Sequence, residues 1–586
     1  MFSQNIESLK KVNKNLADCL IDVSFDEARE YINIAKSESD DIVFVKNNLP
    51  LESPENPIEE AFYNVQSSIK NNMGKFDFIV IYGLGVGYLL DYVFEKYESK
   101  ILLIEPDINV VRVAFEMVDY KKYLESGRVL MTTSYEDIYN YISQKYIIND
   151  KIEIIFLKQY LQIYPDKIKE FTEKIYDVCS LKISDINTIK RNSRAWVYSS
   201  INFIKNSGQT YPISILNNKF ENKTALVVGA GPSLKDNIDL IKKYSDRFII
   251  FAVNRALDCL LDYNIIPNFG VFTDSNYILH TFNSNNSNLI NMNYIVDIKS
   301  DYEVYNLPKK RCFVYYPDNF DLALKISEVN KFVKLYDIAG TSTISAFNCA
   351  KNLGCKNIIL CGVDLAFKGE IPYSTNSYKG HIIIENDKIK TATTEKKLIY
   401  VKSVTGEKVK TREDYAIFIK QFEKFIQKNP QLKVYNITSF GALIQGTENI
   451  GLNALMSKMS TPFDSNTTED IINKALYDSA YNPIELKKQA KEFVSKDEKL
   501  NFDIKAQINE LLNKDIEDDK FYLSIYSMLD KISSTIFLYQ IMQFEMLKCT
   551  KLIVQENTVQ KRANFELFLE DVIKNIDELN KKLSEI

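Results

Sequence analysis

Ala225-Leu226-Val227-Val228-Gly229-Ala230-Gly231-Pro232-Ser233-Leu234 is the stretch that decides the fold. A continuous apolar run stops at a glycine turn, and Pro232, favoured in the first turn of a helix, opens the next element. An unalternating apolar strand is one covered on both faces, so it predicts a parallel sheet between layers of helix. The pattern repeats downstream. Residues 248–253, 269–272, 294–296, 312–315 and 357–361 are further candidate strands, and 341–353 is a helical stretch with small residues at its start.

Upstream, Phe78-Ile79-Val80-Ile81-Tyr82 meets a second glycine turn, Gly83-Leu84-Gly85-Val86-Gly87, and is followed by candidate strands at 101–104, 129–131 and 152–157. Residues 367–408 are polar and rich in Lys, Thr and Tyr, and read as a lid over the sheet. Beyond residue 451 there is no glycine, and proline occurs only at Pro462 and Pro483. Phe565, Phe568, Val572, Ile576, Leu579 and Leu583 recur at spacings of three and four there, as do Phe521, Ile525, Met528, Ile532 and Ile536. The expected organisation is an α/β chain in three parts: a Rossmann-like domain at 1–209, a central Rossmann-like domain at 210–451, and an all-α bundle at 452–586.

Composition narrows the function. The 586 residues are 45% hydrophobic and 26% charged, values of ordinary globular chains rather than disordered ones. Lys+Arg 73 against Asp+Glu 78 gives a net charge of −5, with no basic footprint for nucleic acid. No apolar run reaches the ~18 residues of a membrane span, and the first residues lack a secretory apolar core. Only His280 and His381 exist, which argues against a histidine triad or a multi-histidine metal site. The eight cysteines form no C-x-x-C, as expected of reduced thiols in a cytoplasmic protein.

The first glycine turn, followed by Glu105, has the look of a nucleotide fingerprint, and its G-x-G-x-G spacing fits a methyltransferase-like site better than a dinucleotide one; the Pro106 after the acid and the lack of a methyltransferase motif downstream favour instead a turn that permits tight strand–helix packing. The second has more around it. Ser233 puts a hydroxyl beside helix-start amides, an arrangement suited to phosphate. Other strands also run into polar tips: Asn254-Arg255, Thr273-Asp274-Ser275-Asn276 and Gly362-Val363-Asp364, with Thr341-Ser342-Thr343 opening a helix. In an open parallel sheet these tips face one crevice, where ligands bind. Gly229, Gly231, Pro232, Ser233, Asn254, Arg255, Thr273, Asp274, Ser275, Thr341, Ser342 and Thr343 are therefore the candidate ligand-binding set. Asn254 suits ribose or a pyrimidine ring, and Asp274 accepts from hydroxyls or an amino group.

The Val228-to-Leu234 string resembles the opening of bacterial lipooligosaccharide sialyltransferases, which read G-N-G-P-S-L there. The resemblance continues at Asn254, at Thr341-Ser342-Thr343 and at Gly362-Val363-Asp364. The wider pattern, including Tyr82 to Tyr88, Ile104-Glu105-Pro106-Asp107, Asp364-Leu365-Ala366-Phe367 and Asn436-Ile437-Thr438, is similar to the Maf (motility-associated factor) family over nearly the whole chain. That resemblance implies a central sialyltransferase-type, GT-A-like domain. It also implies transfer of a pseudaminic- or legionaminic-type nonulosonic acid from its CMP-linked form to Ser or Thr of flagellin. The implied displacement is inverting, with no cofactor and no metal needed for chemistry.

The sialyltransferases use a histidine base; Glu407 stands at that position here. Glu407, Asp364 and Tyr373 are the candidate catalytic residues, and Lys368, Tyr373 or Lys379 could supply the phosphate contact. Two rivals stand beside this reading. One is a 6-hydroxymethyl-dihydropterin pyrophosphokinase, in which Asp274 and Asp364 hold magnesium for ATP. The other is a non-catalytic flagellin chaperone.

Overall fold

In a computed structural model of the chain, all residues are described except 70–75, 147–149, 222, 277, 338–339, 369–382, 386–387, 391–394, 460–466, 515 and 554–557. The chain gathers into two compact units, residues 1–190 with 550–554, and residues 191–549 with 555–586. The division falls inside the helix Pro165–Asn206, before the boundary expected at 209, and the boundary expected at 451 lies within the second unit.

The first unit holds a four-stranded parallel sheet in the order Val129–Thr132, Lys100–Ile104, Phe78–Tyr82, Ile152–Phe156. Every residue of Phe78–Tyr82 is buried, which is why that strand carries no polar alternation. A small antiparallel meander, Ile32–Lys36, Ile42–Lys46 and Leu49–Pro50, precedes it and was not foreseen.

The second unit is organised by nine parallel strands: β1 Tyr211–Pro212, β2 Thr224–Val228, β3 Ile249–Val253, β4 Phe269–Phe272, β5 Asn293–Asp297, β6 Arg311–Tyr315, β7 Asn357–Cys361, β8 Lys433–Asn436 and β9 Glu448–Asn449. Their spatial order is β9-β8-β7-β2-β3-β4-β5-β6-β1, so the winding reverses between β2 and β7. Helix α1, Ser233–Lys243, follows β2, and α2, Ser342–Asn352, precedes β7. Seven consecutive residues of α2, Ile344 to Ala350, are buried. Its small residues let it lie close to the sheet, while Phe347 meets Phe422 and Phe425 edge-on. Along the sheet Phe251 stacks on Phe269 with ring centroids 5.0 Å apart. The lid expected at 367–408 includes the strand Glu395–Lys402, which pairs antiparallel with Lys408–Arg412, a strand that begins where the lid was expected to end; Val401 faces Val409 in the pair.

The later helices carry the expected stripes. Phe565, Phe568, Val572, Ile576, Leu579 and Leu583 are all buried on Thr558–Leu583. Phe521, Ile525, Met528 and Ile532 are buried on Asp518–Ser534, but Ile536 lies past that helix's end. There Asp497 accepts from the amides of Ile536 and Phe537 at 2.6 and 3.0 Å, capping the next helix from outside it.

Candidate functional site

Where the winding reverses, two turns press on each other. The amide of Gly229 donates to Cys361 O and that of Gly231 to Gly362 O, each at 2.8 Å. A Cβ on Gly229 would stand 2.5 Å from the Gly362 carbonyl, and Gly362 itself is left-handed, with φ +64°. These glycines serve the contact between the turns.

Asp364 completes the arrangement. It is 1% exposed; one carboxylate oxygen accepts from the Ser233 amide at 2.8 Å and the other from Thr438 Oγ1 at 2.7 Å. Burial raises its pKa, and the Ser233 and Thr438 donors oppose that. The pattern at Pro232 predicts helix-start amides free for a ligand's phosphate. In the structure the chain's own carboxylate holds the Ser233 amide, because a helix N-terminus attracts any well-placed anion. Asp364 is thus a positioning residue rather than one facing an open crevice. The Ser233 hydroxyl is buried beside it without hydrogen-bond geometry.

The tips of β3 and β4 are different. Asn254 is buried and donates from Nδ2 to Thr281 Oγ1 at 2.8 Å. Thr273 Oγ1 and Ser342 Oγ are 2.6 Å apart, so the β4 tip and the start of α2 meet. Thr341 caps α2 by accepting from the Ile344 amide at 3.1 Å, and Ser342 and Thr343 occupy its first, half-buried turn. Such a turn presents amides without intrahelical partners. Arg255 and Ser275 are also half-buried.

Asp274 is exposed to solvent, yet protein packs around it closely enough that desolvation raises its pKa, against the pull of Arg255, Asn254 and Arg191. Asp274 thus stands at the exposed tip of β4, next to the β3 tip at Asn254 and Arg255. Its backbone carbonyl is fixed by the Asp301 amide at 2.8 Å and Ser300 Oγ at 3.2 Å.

Glu407 lies at the exposed turn between the lid strands and lines a cavity of about 320 Å³ together with Phe367, Lys368, Ser403, Thr405 and Phe440. The Lys368 ammonium pairs with Asp236 at 2.8 Å and sits 5.1 Å from the Phe440 ring centroid. Tyr373, Lys379 and His381 lie outside the described residues. His280 is exposed.

The first unit's glycine turn encloses two carboxyls. Glu105 accepts from the Leu84 amide at 2.8 Å, the Asp107 amide at 3.0 Å and the Tyr160 hydroxyl at 2.7 Å. Glu52 accepts from the amides of Val86 and Phe44, filling the space where a Cβ on Gly85 would stand. Burial pushes Glu105 up to about 7 and Glu52 up to about 8. The acid that a nucleotide fingerprint would turn toward ribose is here fully buried and internally bonded, in line with the packing reading.

Sequence reasoning missed Glu52 and the part played by Thr438. Glu52 stands in a loop with no motif around it, and Thr438 was noticed only as part of Asn436-Ile437-Thr438.

With this geometry in hand, comparison with known proteins adds the following. Residues 201–370 match the family model described as 6-hydroxymethylpterin diphosphokinase MptE-like. Among solved structures, the chain is similar to the Maf glycosyltransferase from Magnetospirillum magneticum AMB-1, with a TM-score of 0.63 at 15% identity over 100% of this chain and 96% of that chain. No curated protein is significantly similar in sequence. At such identity the likeness is one of fold, and it spans the whole chain. The expected α/β architecture with parallel sheets is the one found.

Proposed function

We propose that the chain is a glycosyltransferase that moves a pseudaminic- or legionaminic-type nonulosonic acid from its CMP ester to Ser or Thr of flagellin in the cytoplasm. The observation that carries this is the cluster of polar side chains at the tips of β3 and β4, where Asn254, Arg255, Thr273, Asp274 and Ser342 come together in a chain similar in fold to a Maf glycosyltransferase over its whole length. Asp274 and Asn254 take ribose or cytosine, while Arg255 and the first turn of α2 take phosphate. Glu407 accepts the acceptor hydroxyl's proton as the bond from sugar to phosphate breaks and CMP leaves. Lys368 flanks that cavity. The transfer is inverting and needs no metal.

The match to the diphosphokinase family model supports a second reading, magnesium-dependent ATP chemistry through Asp274 and Asp364. A cation at Asp364 would have to displace the Ser233 amide and Thr438 hydroxyl that its oxygens already hold.

Co-expression with flagellin and a donor pathway, followed by intact-mass measurement, tests the proposal. Wild type adds whole nonulosonic acid residues, and Asn254→Ala, Asp274→Ala and Ser342→Ala add none while keeping their circular dichroism. Unmodified flagellin with wild type, together with magnesium-dependent ATP binding, would favour the diphosphokinase.

A further inference from the structure

Asn254, at the tip of β3, is held by a hydroxyl that has one way to hold it. Its Nδ2 donates to Thr281 Oγ1 at 2.8 Å, and the Thr281 hydroxyl donates to the Ile278 carbonyl at 2.6 Å. A hydroxyl has a single hydrogen. With that hydrogen spent on Ile278, the Thr281 oxygen can only accept, so the Asn254 amide turns its nitrogen that way and does not rotate end for end. Asn254 also lowers the Asp274 carboxyl as a hydrogen-bonding neighbour, which again takes the nitrogen end of the amide. Among the described residues no group donates to Asn254 Oδ1, and unlike Ser233 Oγ it is not an atom sealed from solvent.

The turn that carries Thr281 is tied to the neighbouring tip. Ile278 is buried, and its amide donates to Asp301 Oδ2 at 3.3 Å, while the Asp301 amide donates to the Asp274 carbonyl at 2.8 Å. Phe282, the next residue, packs its ring 5.9 Å from that of Phe272 at the end of β4. Strands β3 and β4 run parallel with Val253 level with Val271, so Asn254 and Asp274 leave adjacent tips. One connected set of hydrogen bonds therefore fixes the Asn254 amide and the backbone that carries Asp274. What it offers outward is an amide oxygen beside a carboxylate, with the amide's own donors turned in. A phosphate or a carboxylate finds no partner at that oxygen; an amino group or a hydroxyl does.

We infer that Thr281 is a positioning residue that locks the Asn254 amide so that its oxygen receives a hydrogen-bond donor of the nucleotide, the cytosine amino group or a ribose hydroxyl. This rests on the CMP-donor reading above and deepens it. The contact at Asn254 is narrowed to groups that donate. Where that contact is to the base, it also tells cytosine from uracil, which carries a carbonyl oxygen in place of the amino group.

The test is calorimetric titration of the full chain with CMP, UMP and the 2′- and 3′-deoxy forms of CMP, for wild type, Thr281→Val and Thr281→Ser. Each analogue lacks one donor of CMP. Wild type binds at least one of them about tenfold more weakly than CMP, because the contact is lost and its acceptor left unpaired. UMP as the weak ligand identifies the amino group, and a deoxy form identifies the hydroxyl. Thr281→Val keeps the shape but frees the amide to turn, so CMP weakens by about tenfold, that analogue stays within about twofold, and the preference disappears. Thr281→Ser keeps the hydroxyl and the preference, and it decides the matter even if the valine variant unfolds: a folded serine variant without the preference overturns the proposal. Equal binding of all the ligands by wild type, or a Thr281→Val variant in which CMP and the analogues fall together, also overturns it while leaving the CMP reading standing. A wild type that binds no CMP overturns the CMP reading itself.

Discussion

Each unit carries a buried parallel strand that runs into a glycine turn, and in each the turn is closed by the protein's own carboxylates. In the first, Glu105 and Glu52 take the amides of Leu84 and Val86; in the second, Asp364 takes that of Ser233. What separates them is the surroundings. Glu105 and Glu52 are buried with Tyr160 and Tyr120 close by, whereas two strands along from the second turn Asp274 opens to solvent among arginines. A glycine turn shows that two backbones or a side chain come close. The tips of its neighbours decide whether a ligand does.

That comparison breaks most sharply at the glycines. Gly362→Ala puts a Cβ against the Gly229 carbonyl in a left-handed conformation, combining overpacking with backbone strain, and is expected to destabilise the second unit by about 3 kcal/mol or more. Urea unfolding followed by limited proteolysis would show this unit yielding first; a midpoint like wild type's would mean the turns have room to part.

The two aspartates sharpen it next. Asp364→Ala leaves the Ser233 amide and the Thr438 hydroxyl unsatisfied in a buried place, at a cost of about 3 kcal/mol. Asp274→Ala removes a solvent-exposed carboxylate and is expected to change stability by no more than about 0.5 kcal/mol while abolishing nucleotide binding. Equal thermal shifts for the two variants would erase the distinction between the positioning acid and the exposed acid.

The smallest effect is on pH. Glu52 and Glu105 have raised folded values, about 8 and about 7 against 4.5, so the folded first unit keeps protons that the unfolded chain has released. Their contribution is complete below pH 4.5 and is lost as pH rises through 7 and 8, by at least about 1.4 kcal/mol. Hydrogen exchange at residues 83–87 should quicken between pH 6 and pH 9, after correction for intrinsic rates. Corrected rates that stay level would place both carboxyls in a more polar setting than the one described.

The buried strands were legible because an apolar run of strand length between turn residues has few other uses; β2, β3, β4 and β7 all stand where the runs predicted, within a residue. The strands Ile32–Lys36 and Ile42–Lys46 were not, since half-exposed strands with lysine ends resemble loops. The chain runs from Asp166 to Ser207 without glycine or proline, so no breaker marks the place where the two units divide. At the site, the polar tips were readable because they interrupt apolar runs. The direction of Asp364 was not, because one carboxylate in a strand-end loop reads the same whether it faces a ligand or an amide 131 positions away.

Hydrogen–deuterium exchange of the full chain with and without saturating CMP in EDTA tests the central claim most directly. The account predicts new protection at residues 254–256, 273–276 and 341–344, with none at 83–87. Protection confined to 83–87, or none anywhere under conditions of proven CMP excess, would contradict it.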